Sequence, residues 1–238
     1  GPRRLLKSFY LHWIVPKRVR FFSQEAPFMI NLSGGDTRLL RRIGWSPEKL
    51  VPAGYFPPPL PDLPFRARTE GDRQKPHLLA TGEPQWRRGG SLLIETLSLL
   101  QRMGQRFTAT ITGSPATVEP LRRRAERLGL HPQTLSFPGQ LSPANLRAEI
   151  TKATCLLAAG RKEPWGIRVN EAILAGLPVV TSTGMGVASF VRNSGAGVIF
   201  QNDDPVDFAW QIRHLLDSAE TWREVCGRMP AAALALQP

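Results

Sequence analysis

Two carboxylates, Glu163 and Glu171, stand eight residues apart in the stretch EPWGIRVNEAILAGLPVV, residues 163–180. An apolar run, TCLLAAG, precedes them, and a helix is expected to begin near Trp165 or Gly166. The free N–H groups of Gly166, Ile167 and Arg168 then point at whatever lies above the strand end, and a phosphate would be stabilised there. Glu171 follows Ile167 by four residues, so it shares that helix face and leans back toward the N-terminus. In that position it can accept hydrogen bonds from two adjacent hydroxyls, as a ribose offers. Glu163, in the loop before the helix, can accept from sugar hydroxyls beside the phosphate. The spacing sets the two acids along one extended ligand, whereas a glycosidase acid and nucleophile face each other across one bond. A purely structural use stays open beside this one: Glu163 caps the helix and Glu171 pairs with a neighbouring basic residue.

A second loop offers complementary charge. In ATGEPQWRRGGSLL a strand ends at Gly82, and Arg87-Arg88-Gly89-Gly90 leads into a helix. Guanidinium forks pair with phosphate oxygens and helical N–H groups add donors, so this loop suits a diphosphate. A solvent-facing basic turn is the alternative.

The elements that must position these loops are regular from His77 onward. The runs HLLATG, FTATITG, TLSFPG, TCLLAAG, PVVTS and GVIFQ alternate with amphipathic stretches such as SLLIETLSLLQRM, VEPLRRRAERLGL and PANLRAEITKA. Strands alternating with helices imply an α/β fold, a doubly wound parallel sheet covered on both faces, with ligands at the carboxyl ends of the strands. Upstream, FMINLSGGDTRLLRRIGW reads as a short strand, a glycine turn and a brief basic helix capped by Asp36, with KLVPAGYF as a further strand. FPPPLPDLP and the polar RARTEGDRQKP after it are expected to form a stiff, exposed connector. The expected organisation is a fragment over 1–56, a proline-rich linker over 57–76 and the parallel-sheet domain over 77–238.

Composition narrows the partners. The chain has 238 residues, 42% hydrophobic, enough for a buried core, and a net charge of +12 that suits an anionic partner or simply a solubilising surface. Its arginines are scattered over several helices with no nucleic-acid motif, so no nucleic-acid partner is expected. Cys155 and Cys226, the two cysteines, suit neither a disulfide framework nor a zinc site, and a reduced, cytoplasmic setting fits them. No apolar run reaches eighteen residues, and Gly1-Pro2 reads as a protease-cleavage scar with no signal peptide behind it. The first twenty residues mix Arg3, Arg4, Lys7, Lys17, Arg18 and Arg20 with Leu5, Leu6, Phe9, Tyr10, Trp13 and Ile14. That pattern fits either a helix lying on an anionic membrane or one packed on another domain.

EPWGIRVNEAILAGLPVVTS resembles the signature of the retaining glycosyltransferases of family 4, in both glutamates and in Trp165, Gly166, Ala172, Gly176, Pro178 and Val179. The resemblance runs from about His77 to Met229, since HLLATG…RRGGSLLIETL, TATITGSP, LSFPGQLSPANL and GAGVIFQNDD fall in the family's order. It implies the C-terminal, nucleotide-sugar-binding half of a GT-B fold, with residues 1–56 similar to the end of the N-terminal domain. By this resemblance Glu171 is the ribose ligand, Glu163 the acid contacting the donor sugar, and Arg88, with Arg87, the charge that neutralises the diphosphate. The backbone at Phe137, Pro138 and Gly139 flanks the base. The resemblance implies a UDP- or GDP-sugar as donor and a glycan or lipid-linked molecule as acceptor, as in bacterial surface polysaccharide synthesis. No Asp-x-Asp motif is present, so neither an obligatory metal nor another cofactor is expected.

Three departures matter. Glu83 stands where the family usually has an arginine, Ser189 where many members have a glutamate, and the acceptor domain is represented only by the short stretch 1–56. The chain is therefore expected either to work with a missing or separate N-terminal domain or to bind the nucleotide-sugar without transferring it. A competing reading takes VVTSTGMGVAS as a dinucleotide fingerprint, with Gly184, Gly186 and Asp203. The third glycine is replaced by Ser189 and the motif comes late in the sheet, which argues against it.

Overall fold

The computed structural model describes residues 17, 21, 23–31, 37–54, 62–81 and 86–237. The chain divides into two compact units, Gly1–Gly54 and Tyr55–Pro238. Apart from Lys17, the basic stretch 3–20 lies outside the described residues, as do Asp36 and Glu83.

In the first unit, β1 (Met29–Asn31) and β2 (Leu50–Pro52) pair in parallel with Met29 opposite Leu50, and α1 (Arg38–Arg42) lies between them in sequence. This is the β-α-β order read from FMINLSGGDTRLLRRIGW and KLVP. Lys49 Nζ donates to the carbonyls of Ser23 and Gln24 at 2.9 and 3.0 Å, tying the second strand's approach to the segment before the first.

The second unit is a six-stranded parallel sheet in the order β5-β4-β3-β6-β7-β8, formed by β3 (His77–Thr81), β4 (Thr108–Thr112), β5 (Leu135–Gly139), β6 (Cys155–Ala158), β7 (Val179–Ser182) and β8 (Gly197–Phe200). The order builds outward from β3 in one direction and from β6 in the other. It is the doubly wound topology whose crevice opens where the winding reverses, between β3 and β6.

Alternation within β3 explains both layers. Leu78 and Ala80 face one core, with α3 (Gly90–Arg102), α4 (Pro115–Arg127) and α8 (Pro205–Asp217) supplying Leu93, Leu97, Leu121, Phe208 and Ile212. Leu79 faces the other, against α5 (Pro143–Lys152), α6 (Ile167–Leu174) and α7 (Ala188–Ser194). The last helix, α9 (Ala219–Leu234), gives Trp222 and Val225 to the first core and Met229, Ala232 and Ala233 to the second. β6 and β7 are buried on both faces, so neither alternates; β6 is an unbroken apolar run, and β7 buries Thr181 and Ser182 after two valines.

The polar half of the expected connector is a finding against that expectation. Residues 66–76 fold onto the domain through the short helix α2 (Glu70–Gln74) and a buried arginine. Arg68 is 6% exposed, and its guanidinium donates to the carbonyls of Ala153 (3.0 Å), Ile150 (2.6 Å) and Arg66 (2.8 Å). Two of those acceptors end α5, where unpaired helical carbonyls favour a cation. Burial, reinforced by Arg66, pulls the Arg68 pKa down to about 10. Arg66 also pairs with Asp72 at 2.6 Å and donates its backbone N–H to Ala175. The stretch looks like a spacer because its partners are distant backbone carbonyls, which composition does not reveal.

Candidate functional site

The loops after β3 and β6 meet at the winding reversal. After β3 the chain forms a turn over Trp86–Arg88 and enters α3 through Gly89, whose φ of 75° is left-handed. A Cβ added at Gly89 would lie 1.7 Å from the Ala159 carbonyl oxygen. Glycine is therefore required twice at this point, by the backbone angle and by the close approach of the β6 loop. The approach is closed by Arg161 and Lys162, whose backbone N–H groups both donate to the Arg87 carbonyl, at 2.8 and 3.1 Å.

This contact brings two of the expected site residues together. Arg88 Nη1 lies 2.7 Å from Glu163 Oε2, with the carboxylate side chain 15% exposed and the arginine 36%. Glu163 is held in turn by the loop after β7, donating its N–H to Gly184 and accepting at its carbonyl from Gly186. It forms an isolated parallel bridge with Met185. The expectation that Glu163 lies in the loop ahead of the helix holds, and in this structure its carboxylate meets an arginine.

The helix itself, α6, begins at Ile167 with Gly166 as its N-cap at φ 117°. A side chain at Gly166 would meet Met185 Cε at 2.4 Å, so the left-handed cap is packed against the β7 loop. Next to it, Trp165 Nε1 donates to Asn170 Oδ1 at 3.0 Å and fixes the buried indole under the helix start. Ile167 and Arg168 are exposed at the first turn. Glu171 is buried, and its Oε2 accepts from Arg168 Nη1 at 2.6 Å. The pairing with a neighbouring basic residue, the structural alternative for Glu171, is thus present.

Other expected residues are placed less closely. Arg87 is exposed and enters the site through its backbone carbonyl. Phe137, Pro138 and Gly139 end β5, the outer strand, which β4 separates from β3. There the Arg122 guanidinium lies 5.3 Å above the Phe137 ring, and Gly139 accepts from the Gly113 N–H.

A brace behind Glu163 was not legible. Arg161, 10% exposed, pairs with Asp203 at 2.5 Å, and its carbonyl accepts from Asn202 Nδ2 at 3.0 Å. Asn202 also accepts from Ser182 Oγ, and Ser182 Oγ accepts from the Gly184 N–H. Asp203, read as the acid of a dinucleotide fingerprint, is instead the partner of Arg161 and adopts a left-handed φ of 63°, which Asp tolerates better than most residues. Arg161 stands in the same short loop as Glu163, and that proximity was the available signal.

A separate polar cavity of about 330 Å³ opens over the amino-terminal parts of β3 and β4, lined by His77, Thr108, Thr110, Ser136, Glu149 and Lys152 among others. Burial pushes the Glu149 carboxyl up, but hydrogen bonds from Thr110, His77 and Lys152 outweigh it and hold the group below its usual range. The cavity also takes in Pro138, expected beside the base, and Asn145 in the first turn of α5, and it lies apart from the Arg88–Glu163 pair. Among the described residues no helix is long and apolar enough to cross a membrane.

The chain is 31% identical over 155 residues to glycogen synthase of Mycobacterium tuberculosis, covering 65% of this chain and 37% of that protein. It is 25% identical over 204 residues to the lipopolysaccharide glucosyltransferase WaaG of Escherichia coli, covering 82% and 54%. The chain thus spans roughly a third to a half of the curated relatives it matches. The crystal structure of Anabaena Alr3699/HepE in complex with UDP and glucose shares the fold, with a TM-score of 0.71 at 17% identity over 92% of this chain and 61% of that one. Residues 64–228 match the family described as glycosyl transferases group 1, and the chain belongs to that family.

Proposed function

We propose that residues 77–238 bind the nucleotide-sugar donor of a retaining, family 4-like glycosyltransferase, which moves the sugar to a glycan or lipid-linked acceptor. The observation that carries this reading is the convergence at the β3/β6 switch of Arg88, Glu163 and the N-terminus of α6, with Glu171 one turn inside that helix. In the proposed complex the diphosphate lies against Arg88, with Arg87 nearby, and the N–H groups of Gly166, Ile167 and Arg168. Glu171 accepts the ribose hydroxyls, Glu163 those of the sugar, and the backbone of Phe137, Pro138 and Gly139 borders the base. As the bond from the anomeric carbon to the phosphate oxygen breaks, negative charge grows on the diphosphate, and preorganised donors stabilise the departing group. Arg88 then exchanges one anion, the Glu163 carboxylate, for another, which frees Glu163 for the sugar.

A UDP- or GDP-sugar is the proposed donor, consistent with the UDP bound by Alr3699/HepE. Bacterial surface polysaccharide is the proposed destination, given WaaG among the relatives. The acceptor side is supplied by a fuller N-terminal domain or a separate partner. The work is placed in the cytoplasm, with contact to an anionic membrane through residues 3–20. A second reading is a domain that binds the nucleotide-sugar without transferring it. Incubating the protein with nucleotide-sugars and glycan or lipid-linked acceptors, and reading the product's anomeric configuration by NMR, separates the two. Product with the donor's configuration supports the transferase; tight donor binding without product supports the second reading.

A further inference from the structure

Arg168 contributes a side chain as well as a backbone N–H. Its guanidinium reaches Glu171 across one turn of α6, and the two ends of the pair differ in freedom: the Arg168 side chain is 48% exposed, that of Glu171 10%. Glu171 belongs to the buried part of α6, where its side chain has little room to move. Arg168 approaches it from solvent on a flexible stem. A buried carboxylate needs a cationic or hydrogen-bonding partner, and Arg168 provides one.

We infer that Arg168 is a specificity residue that changes partners on donor binding, passing from Glu171 to the diphosphate as the ribose hydroxyls take its place on the carboxylate. The inference rests on the donor reading above. Arg168 sits in the first turn of α6, where the helix N-terminus and the approaching phosphates concentrate opposite charges. Neutral hydroxyls can satisfy the Glu171 oxygens, and the released fork can pair with phosphate oxygens in a bidentate manner. Neither charge is left buried without a partner during the exchange. A nucleoside without phosphates displaces Arg168 and gives it no new anion, so the pair disfavours nucleosides and favours diphosphates. The identity of the base does not enter this selection.

The test is calorimetric titration of the full chain with UDP, GDP, ADP and CDP, followed by the tightest of these and its nucleoside against Arg168→Ala, Arg168→Lys and Glu171→Gln. Arg168→Ala is expected to weaken the diphosphate by about tenfold or more and to leave the nucleoside equal or tighter, with part of the diphosphate affinity restored in Arg168→Lys. Equal weakening of both ligands, or an unchanged diphosphate affinity, overturns the exchange. Wild-type diphosphate affinity in Glu171→Gln overturns the donor reading and the inference with it. Loss in Glu171→Gln without a selective loss in Arg168→Ala overturns the inference alone. No binding of any of the four nucleotides by the wild-type chain overturns both.

Discussion

Arg88 Nη1 and Glu163 Oε2 stand 2.7 Å apart and join the loop that opens after β3 to the loop that opens after β6. The two strands are neighbours at the point where the sheet reverses its winding, so the pair marks the crevice in which such sheets bind ligands. The pair also joins the cation proposed to meet the diphosphate to the acid proposed to meet the sugar.

Glu163→Gln keeps the shape of the side chain and removes its charge. In a complete enzyme it is expected to lower kcat by about a hundredfold or more while changing the Kd of the free nucleoside diphosphate by less than about threefold, because the role proposed for Glu163 concerns the sugar and the departing group. Steady-state kinetics paired with nucleotide titration checks this, and wild-type turnover contradicts the assignment.

Gly89→Ala is expected to cost about 2–4 kcal/mol, since the substitution meets both a left-handed backbone and the Ala159 carbonyl. Gly104, at φ 75° with nothing within 4 Å, is the control: Gly104→Ala bears only the backbone strain, about 1–2 kcal/mol. Urea unfolding of the two variants isolates the contribution of the loop contact.

Arg68→Met is expected to destabilise the domain by about 2–4 kcal/mol, because it strands three buried or half-buried carbonyls. The neighbouring Asp72 gives the segment a pH signature. Burial pushes its carboxyl up, but the Thr69 backbone, Arg66 and the Thr69 hydroxyl outweigh this and hold it below the ordinary 3.8. Its contribution is therefore present above pH 3.8 and lost as the pH falls through the lower folded value. Asp72→Asn should flatten that acid limb in a series of denaturation curves.

Burial pushes the Cys155 thiol up to about 12 and the Cys226 thiol to about 11, against 9.0 when unfolded. Both thiols are neutral in either state well below pH 9; above it the unfolded chain ionises first, and stability declines until the folded values are passed. At pH 8 the buried Cys155 should resist a thiol reagent in the folded protein and react on unfolding. Rapid labelling of Cys155 in native protein contradicts its burial.

The α/β alternation from His77 onward was legible because the buried strands are short runs dominated by apolar and β-branched residues and the covering helices carry an apolar stripe. The start of α6 falls one or two residues after the expected Trp165 or Gly166, because Gly166 serves as a left-handed N-cap rather than as the first helical residue. What stayed hidden depends on distant partners. Arg68 looks like solvated charge until the end of α5 is placed over it. Asp203 sits where a ribose acid would in another fold, and only the sheet order shows that Arg161 claims it. The Arg88–Glu163 pair could not be read either, since spacing along the chain says nothing of which loops of a doubly wound sheet become neighbours.

The most direct test of the central claim is thermal unfolding of the chain with UDP, GDP, ADP and CDP, in parallel for wild type and Glu171→Gln. A ligand that binds only the folded form raises stability by RT ln(1 + [L]/Kd), about 2.7 kcal/mol at a hundredfold excess over Kd. The donor-site account predicts a rise in Tm with one of these diphosphates that is lost or sharply reduced in Glu171→Gln. An unchanged Tm with all four, or an equal rise in the variant, contradicts it.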